Sequence, residues 1–281
     1  MSKILKVKAR QVFDSRGNPT VEAEVYTKNN SATAICPSGA STGTFEAYEK
    51  RDKNNKRYLG KSVFSAVNLV NSKISKKLKS QNVHNQERID TLLINLDGTR
   101  QKTNLGANAM LAVSMAVKKL SAKVKKLPLY KTFSVKKNFQ LPYPLMNIIN
   151  GGAHANNGLR IQEFMIRPDR AKSFSEAMRV GFLVIKSLSK LFKDKGLSTS
   201  VGDEGGFAPM ISSNNQALDL IVAAIKKAGF KNGKDVSICL DVAANELFKK
   251  NKYSIHSKNY ISVDNQLKNT KELLRNIRLN R

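Results

Sequence analysis

The sequence predicts an α+β N-terminal domain, an antiparallel meander plus helices, followed by an incomplete α/β TIM-like barrel. In the first part, three short strands of alternating polarity precede three amphipathic helices, which is the α+β pattern. After Leu141, apolar strands alternate with helices, and two of these strand-like runs carry carboxylates at their ends, as in barrel enzymes. We therefore divide the chain into domains at 1–135 and 141–281. The second domain has 141 residues, whereas an eight-stranded barrel needs roughly 200, so we expect only its first part.

Hydrophobic periodicity predicts the elements of the N-terminal domain. Apolar residues alternate with polar ones at Leu5, Val7 and Ala9, and again at Val21, Ala23 and Val25. The turn formers of Asp14–Pro19 and Lys28–Asn30 separate these strands from each other and from a third at Ala32–Cys36. Apolar faces of helical spacing then predict helices at about Gly60–Leu78, Ile89–Leu96 and Asn108–Val124.

The C-terminal domain is predicted to alternate strands and helices. Apolar runs predict strands at Leu145–Ile149, Ile161–Ile166 and Val236–Asp241. A capping box at Ser173–Glu176 opens a helix that Gly196 ends, and a second helix covers about Asn215–Ala228. Lys252–Ile255 indicates a short edge strand or an extended loop, and a basic amphipathic helix starts at about Asp264.

The chain is strongly basic, with a net charge of +28 from 49 Lys and Arg against 21 Asp and Glu. Such a charge attracts nucleic acid and other polyanions. However, the lysines often occur as pairs at helix ends and on exposed faces, without a sustained basic block or interleaved aromatic residues, so they are also explained as solvated faces. We expect nonspecific, salt-sensitive polyanion binding rather than a specific nucleic-acid site.

The sequence predicts a soluble cytoplasmic protein. No apolar run has the length of a membrane span, and lysines interrupt the first residues where a signal peptide would be apolar. Cys36 and Cys239 lie in apolar, strand-like contexts without metal-ligand spacing. We interpret them as buried thiols rather than as a disulfide.

Three carboxylates are candidates for chemistry. Glu204 lies in the glycine-bracketed turn Val201-Gly202-Asp203-Glu204-Gly205-Gly206-Phe207, and glycine lets a backbone approach a ligand closely. Glu163 and Asp241 lie at the ends of strand-like runs, where a barrel enzyme places its acids. Taken alone, the turn is equally typical of an acidic surface loop, and Asp241 can simply cap a helix near Ala243.

A loop of small and hydroxyl residues, Pro37–Gly43, follows the third strand. It offers many polar contacts, but it lacks the lysine of a phosphate-binding loop. An ordinary flexible loop is the simpler interpretation of this stretch by itself.

Six short motifs follow one another along the chain: Asp14–Glu22, Pro37–Gly43, Gly106–Ala109, Asn147–Ala155, Ile161–Met165 and Gly202–Gly206. In combination they resemble the enolase (phosphopyruvate hydratase) family, in the family's order and approximate spacing, from residue 1 to about Lys271. The resemblance implies an enolase-type TIM barrel and the reversible dehydration of 2-phosphoglycerate to phosphoenolpyruvate in glycolysis, with Mg²⁺ as cofactor.

The resemblance also implies roles for individual residues. Glu204 matches the general acid, and Glu163 matches the carboxylate that hydrogen-bonds near the departing hydroxyl. Gln162 and His154 match substrate contacts, although a lone histidine is more often structural. Asp241 matches a ligand of the first Mg²⁺, and Ser41 matches a ligand of the second. The lid loop that the resemblance implies comprises Ser38, Gly39, Ala40, Ser41 and Thr42.

Enolases have further residues without a counterpart in these 281 positions, namely the lysine base and two of the three carboxylates that hold the first Mg²⁺. We therefore expect a truncated family member with little or no activity alone. One alternative is a noncatalytic basic fragment that binds nucleic acid or a protein partner. Another is that a separate polypeptide supplies the remaining barrel. Full enolases are commonly dimers, so a homodimer is also among the partners that the resemblance implies.

Overall fold

Two units, Met1–Phe139 and Gln140–Arg281, make up the chain, and each has its own hydrophobic core. Their structure is a computed structural model that describes residues 2–39, 42–54, 56–133, 138–202, 204–211, 213–255 and 259–279. Within these residues, every helix is too short or too polar to traverse a lipid bilayer.

The N-terminal unit begins with an antiparallel sheet of the order β1-β2-β3, in which Val7 faces Val25 and Ala23 faces Ala34. The inward side chains of the central strand are fully buried, because one face of the sheet packs on the helices. This arrangement confirms the predicted meander. The strands are β1 (Lys6–Phe13), β2 (Pro19–Tyr26) and β3 (Ser31–Cys36).

The helices of the N-terminal unit agree with the predicted apolar faces. The first begins four residues later than predicted, because the Asp52 carboxylate accepts hydrogen bonds from the Phe64 and Ser65 backbone and fixes the first turn there. Gly98, with φ +70°, ends the helix that covers Gln86–Asp97. The helices are α1 (Phe64–Leu69), which continues through a π-helical segment (Val70–Ile74) into α2 (Ser75–Leu78), then α3 (Gln86–Asp97) and α4 (Ala107–Val124).

The α1–α2 helix lies along β1. Val7 N donates to Ser75 Oγ at 3.2 Å, and Ala9 exchanges hydrogen bonds of 2.7 and 3.1 Å with the Asn71 side chain. Polar helix side chains therefore satisfy backbone groups of β1 that would otherwise form an open sheet edge. On its other side, this helix buries Val70 and Ile74 in the core.

The C-terminal unit contains a second sheet with two long helices and a small hairpin region. The Ser173 side chain caps the first of these helices by accepting from Glu176 N, as the capping box predicts. The elements are β4 (Met146–Asn150), β5 (Glu163–Pro168), α5 (Phe174–Asp194), α6 (Asn214–Lys227), β6 (Val236–Asp241), β7 (Phe248–Lys249), β8 (Lys252–Tyr253), β9 (Ile261–Ser262) and α7 (Val263–Leu279).

The C-terminal sheet has the order β4-β5-β6, and β5 runs antiparallel to both neighbours. Its second strand begins at Glu163, two residues later than predicted. An all-parallel barrel would place functional groups only where strands end. Here, the antiparallel central strand brings its own first residue to the edge where its neighbours end.

Candidate active site

Three strand termini meet at one edge of the C-terminal sheet. Glu163, the first residue of β5, lies opposite Asn150 at the end of β4 and opposite Asp241 at the end of β6. The next backbone hydrogen bonds extend the pairing, because Gly151 N donates to Gln162 O at 2.9 Å and Gln162 N donates to Asp241 O at 3.1 Å. Two carboxylates, Glu163 and Asp241, are therefore neighbours across the strands.

The acidic turn that carries Glu204 is attached to β4. Phe207 N donates to Ile148 O at 3.0 Å, and Asn150 N donates to Phe207 O at 2.8 Å, so the chain after the turn forms a parallel bridge to β4. The turn itself is closed by a 2.8 Å hydrogen bond from Gly202 N to Gly206 O. Glu204 is thus held beside the strand termini, although it is distant from them in sequence.

Asn150 connects the turn to the sheet through its side chain. It is fully buried, and its Nδ2 donates to Gly206 O at 2.9 Å, while its backbone oxygen accepts from Asn157 Nδ2 at 3.0 Å. Gly202 packs against it so closely that an added Cβ would lie 2.5 Å from Asn150 Nδ2 and 2.6 Å from His154 O. These contacts require glycine at position 202 for steric reasons.

His154 lies between two of the carboxylates. It occupies a short 3₁₀ turn, Gly152–His154, directly after β4 and is 5% exposed. Its Nδ1 is 3.4 Å from Glu163 Oε1, and its Nε2 is 3.9 Å from Glu204 Oε1. Neither ring nitrogen has a hydrogen bond of good geometry within the described residues, so the imidazole faces both carboxylates without being hydrogen-bonded to either.

The pKa of the Glu163 carboxyl group is shifted from its ordinary value. Burial raises the pKa of the Glu163 carboxyl above its ordinary value, and the negative charges of Asp241 and Glu204 raise it further, while His154 acts in the opposite direction. A carboxyl group whose pKa is shifted by burial and by specific charged neighbours is typical of a functional site. We name Glu163, His154, Glu204 and Asp241 the carboxylate cluster.

Replacing Glu163 with glutamine is expected to change how stability depends on pH. A folded-state pKa above the ordinary value of 4.5 means that Glu163 favours folding below pH 4.5 and that this contribution is lost as pH rises through the folded-state pKa. Glu163→Gln should therefore gain stability relative to the wild type between acidic and neutral pH. Urea unfolding midpoints measured across this range would check the difference.

Glu246→Gln is the matched control, because Glu246 is an exposed carboxylate that is not among the groups acting on Glu163. The same pH-dependent difference in both variants would contradict the expected role of burial and neighbouring charge at Glu163.

Asp241 is exposed at the end of β6, and one of its oxygens accepts from Ala243 N at 2.9 Å. That contact matches the capping alternative, since a short 3₁₀ turn, Ala244–Leu247, follows. The described residues contain no group of three or more acidic, histidine or cysteine side chains arranged around a metal position. Two facing carboxylates nevertheless suit Mg²⁺, which is usually bound by one or two carboxylates together with water and substrate phosphate.

The remaining predicted site residues lie in different places. Gln162 is buried beside the carboxylate cluster. Ser38, Gly39 and Thr42 belong to the N-terminal unit, and Ala40, Ser41 and Asp203 lie outside the described residues.

Two arginines anchor the start of the loop that follows β3. Arg51 Nη2 donates to Ser38 Oγ at 2.8 Å, and Arg16 Nη2 donates to Ser38 O at 2.7 Å. Glu49 accepts from Ser38 Oγ at 2.5 Å and from the same Arg51 nitrogen at 2.8 Å. The loop therefore begins from a fixed point within the N-terminal unit.

Comparison with protein-family models assigns both parts of the chain. Residues 4–133 match the model of the enolase N-terminal domain, and residues 138–278 match the model of the enolase C-terminal TIM barrel domain. The chain belongs to the enolase family. This confirms the family and the fold class that the sequence motifs predicted.

Curated enolases are similar over almost the whole chain. The chain is 78% identical to an enolase of Pelagibacter ubique (strain HTCC1062) over 274 residues, which cover 98% of this chain and 66% of that protein. It is 52% identical to an enolase of Bdellovibrio bacteriovorus over 254 residues, which cover 90% of this chain and 60% of that protein. The chain therefore spans somewhat less than two thirds of the length of these enolases.

Asn150 and Phe207 help to build the candidate site but were not predicted to do so from the sequence. Asn150 appeared only as part of a motif, and Phe207 only as the residue after the acidic turn. One signal was available for Asn150, because an amide at the end of an apolar strand and before two glycines must find buried partners. No local pattern predicts that Phe207 pairs with β4, because that contact joins distant segments.

Proposed function

We propose that this chain is the N-terminal portion of a phosphopyruvate hydratase, a lyase that reversibly dehydrates 2-phosphoglycerate to phosphoenolpyruvate in glycolysis. The observation that carries this proposal is the carboxylate cluster in a chain of the enolase family. We assign residues 1–135 to the capping domain and 141–281 to the first part of the barrel domain, truncated relative to the family.

In the proposed reaction, Glu204 donates a proton and the neighbouring Glu163 accepts a hydrogen bond. Glu204, with a side chain that is 45% exposed, is accessible to substrate and acts as the general acid that protonates the departing hydroxyl. Glu163 accepts a hydrogen bond near the same hydroxyl, and its side chain is largely buried, with 20% exposed. Gln162 and His154 supply substrate contacts, and His154 keeps the two glutamates apart with a nitrogen facing each.

We further propose Mg²⁺ as the divalent cofactor. Asp241 would hold the first ion and Ser41, on the lid loop Ser38–Thr42, the second. When bound, Mg²⁺ stabilises the additional negative charge that develops on the substrate carboxylate. The oxygen donors of Asp241 and Glu163 are the ligand type that such a hard cation prefers.

A base is the missing partner of Glu204. The charged side chains that act on Glu163 are Asp241, His154 and Glu204, and none of them is a lysine. Removing a proton from carbon requires a base on the opposite side of the substrate from the general acid, whereas the side chains of the carboxylate cluster all lie at one edge of the sheet. We therefore propose that the 281-residue polypeptide has little or no activity by itself.

A hybrid enzyme tests this function directly. The chain would be joined to the C-terminal part of the Pelagibacter ubique enolase that lies beyond the matched region, and ultraviolet absorbance would follow phosphoenolpyruvate formation from 2-phosphoglycerate with Mg²⁺. We expect turnover in the hybrid and little in the 281-residue chain. A folded hybrid without turnover would contradict the proposed reaction, and turnover of the chain alone at the hybrid's rate would contradict the missing base.

Two predictions about the cellular context accompany this function. A cytoplasmic location follows from the glycolytic role, and a homodimer follows from the family resemblance. Analytical ultracentrifugation of the hybrid distinguishes a dimer from a monomer.

A further inference from the structure

A segment without acidic residues extends through the first helices of the N-terminal unit. Between Asp52 and Glu87 there are 34 residues, and they include eight Lys and Arg but no Asp or Glu. The positive charge of the chain is therefore locally unbalanced here, which makes this segment different from the mixed charges around it. The basic residues are Lys53, Lys56, Arg57, Lys61, Lys73, Lys76, Lys77 and Lys79.

The fold determines which of these side chains face solvent. Helix α1–α2 is fixed on one side by the bonds of Asn71 and Ser75 to β1, and on another by burial of Ile74 and Leu78. The side that remains is exposed and carries Lys73, Lys76 and Lys77, and the exposed Lys79 follows directly after the helix.

The adjoining strand adds further positive charge. Ser80 N donates to Ile4 O at 2.8 Å, so the chain after α2 lies directly beside the residues that lead into β1. Lys6 is exposed there, and the neighbouring positive charge of Lys8 lowers the pKa of the Lys6 ammonium group. Lys8 is opposite Glu24 in the sheet, whereas Lys6 is opposite Tyr26.

We define the lysine surface as Lys6, Lys73, Lys76, Lys77 and Lys79. Among the described residues, none of these five lysines forms an ion pair with a carboxylate. The internal ion pairs of the unit are made by arginines, such as Arg10 with Glu22 and Arg51 with Glu49. The lysine surface is thus positive, exposed and without an internal counter-charge.

We propose that the lysine surface binds the phosphate backbone of double-stranded nucleic acid without sequence preference. Lysine ammonium groups suit this role because they are flexible point charges that contact phosphate in many geometries. Sites for single strands combine basic residues with aromatic side chains on which bases stack. The exposed aromatic side chains of the acid-free segment, Tyr58 and Phe64, are already in contact with Phe13 and Arg57. A helix fixed along β1 by hydrogen bonds instead presents its lysines to the charged backbone of a duplex.

This binding is separate from the dehydration chemistry, because the lysine surface belongs to the N-terminal unit and the carboxylate cluster to the C-terminal unit. Its affinity should be strongly salt-dependent, since each phosphate contact releases counterions. The overall charge of +28 also contributes attraction, so the test must separate local charge from total charge.

Two charge-matched variants of the full chain make that separation. The first carries Lys73→Gln, Lys76→Gln, Lys77→Gln and Lys79→Gln. The second carries Lys186→Gln, Lys190→Gln, Lys193→Gln and Lys195→Gln, which are exposed lysines on α5 and directly after it. Each variant loses four positive charges from exposed positions, and circular dichroism would verify that both remain folded.

Fluorescence anisotropy with a labelled duplex DNA of about 20 base pairs, measured over a salt series, reads out the affinity. We expect the first variant to lose at least roughly tenfold in affinity at low salt and to show a salt slope lower by about 0.9 per lost phosphate contact. The α5 variant should change several-fold less, and a duplex of scrambled sequence should bind equally to the wild type.

Equal losses in the two variants would overturn the proposal, because total charge would then explain the binding. It would also be overturned if the wild-type chain bound single strands, acidic proteins or anionic vesicles but not the duplex.

Discussion

Replacing Glu204 with glutamine in the hybrid enzyme is expected to lower kcat by about 10²- to 10⁴-fold, the usual contribution of a positioned general acid. Glutamine preserves the size and hydrogen-bonding shape of the side chain but cannot donate a carboxylic proton. The Glu204 side chain is 45% exposed, so the change should leave the structure of the turn intact. Steady-state kinetics with 2-phosphoglycerate and Mg²⁺ measures the loss.

The balance between kcat and KM distinguishes acid catalysis from a merely structural effect. Removing the acid should lower kcat with little change in KM, whereas misplacement of the turn would also raise KM. Glu246→Gln serves as the control for loss of an exposed carboxylate. A Glu204→Gln hybrid that retains about half of the wild-type kcat would exclude Glu204 as the general acid.

Replacing Gly202 with alanine is expected to lower the free energy of unfolding of the C-terminal unit by about 2–5 kcal/mol, from overpacking and from disturbance of a buried hydrogen bond. The new Cβ would lie 2.5 Å from Asn150 Nδ2 and 2.6 Å from His154 O. Relief of this clash requires Asn150 or the turn to shift, which disturbs the hydrogen bond from Asn150 Nδ2 to Gly206 O.

Gly205→Ala is the matched control in the same turn. Gly205 has φ +79° and no atom within 4 Å of an added Cβ, so alanine there costs only the left-handed backbone conformation, about 1–2 kcal/mol. Urea unfolding followed by circular dichroism, with hydrogen exchange of β4 amides, would compare the two. Equal destabilisation by both substitutions would show that the contact between Gly202 and Asn150 is not tight.

Much of the architecture follows from patterns within a few residues. Alternation at Val21, Ala23 and Val25 predicted a strand whose inward side chains are fully buried. Capping at Ser173 and termination at Gly196 predicted the limits of α5, because both signals act on the adjacent helical turn. The start of α1 differs from its predicted position because of a side chain outside the helix. Asp52 accepts hydrogen bonds from the backbone of the first helical turn and so fixes where the helix begins.

The arrangement of side chains in the candidate site could be predicted less well, because it depends on contacts between segments that are distant in sequence. The motifs identified His154, Glu163, Glu204 and Asp241 as candidates, but their order along the chain does not say which side chains face each other. The antiparallel direction of β5 places Glu163 opposite Asp241, and a parallel strand would place it at the other edge of the sheet.

The sequence by itself determined the family, the two kinds of domain and the residue types available for chemistry, because periodicity and motif order are properties of the linear chain. Only the tertiary structure decided that His154 lies between Glu163 and Glu204 and that Asn150 holds the acidic turn on β4. It also decided that four lysines, three on helix α1–α2 and one directly after it, are exposed beside β1. The physical reason is that strand direction, register and packing are set by burial and hydrogen bonding between segments far apart in sequence.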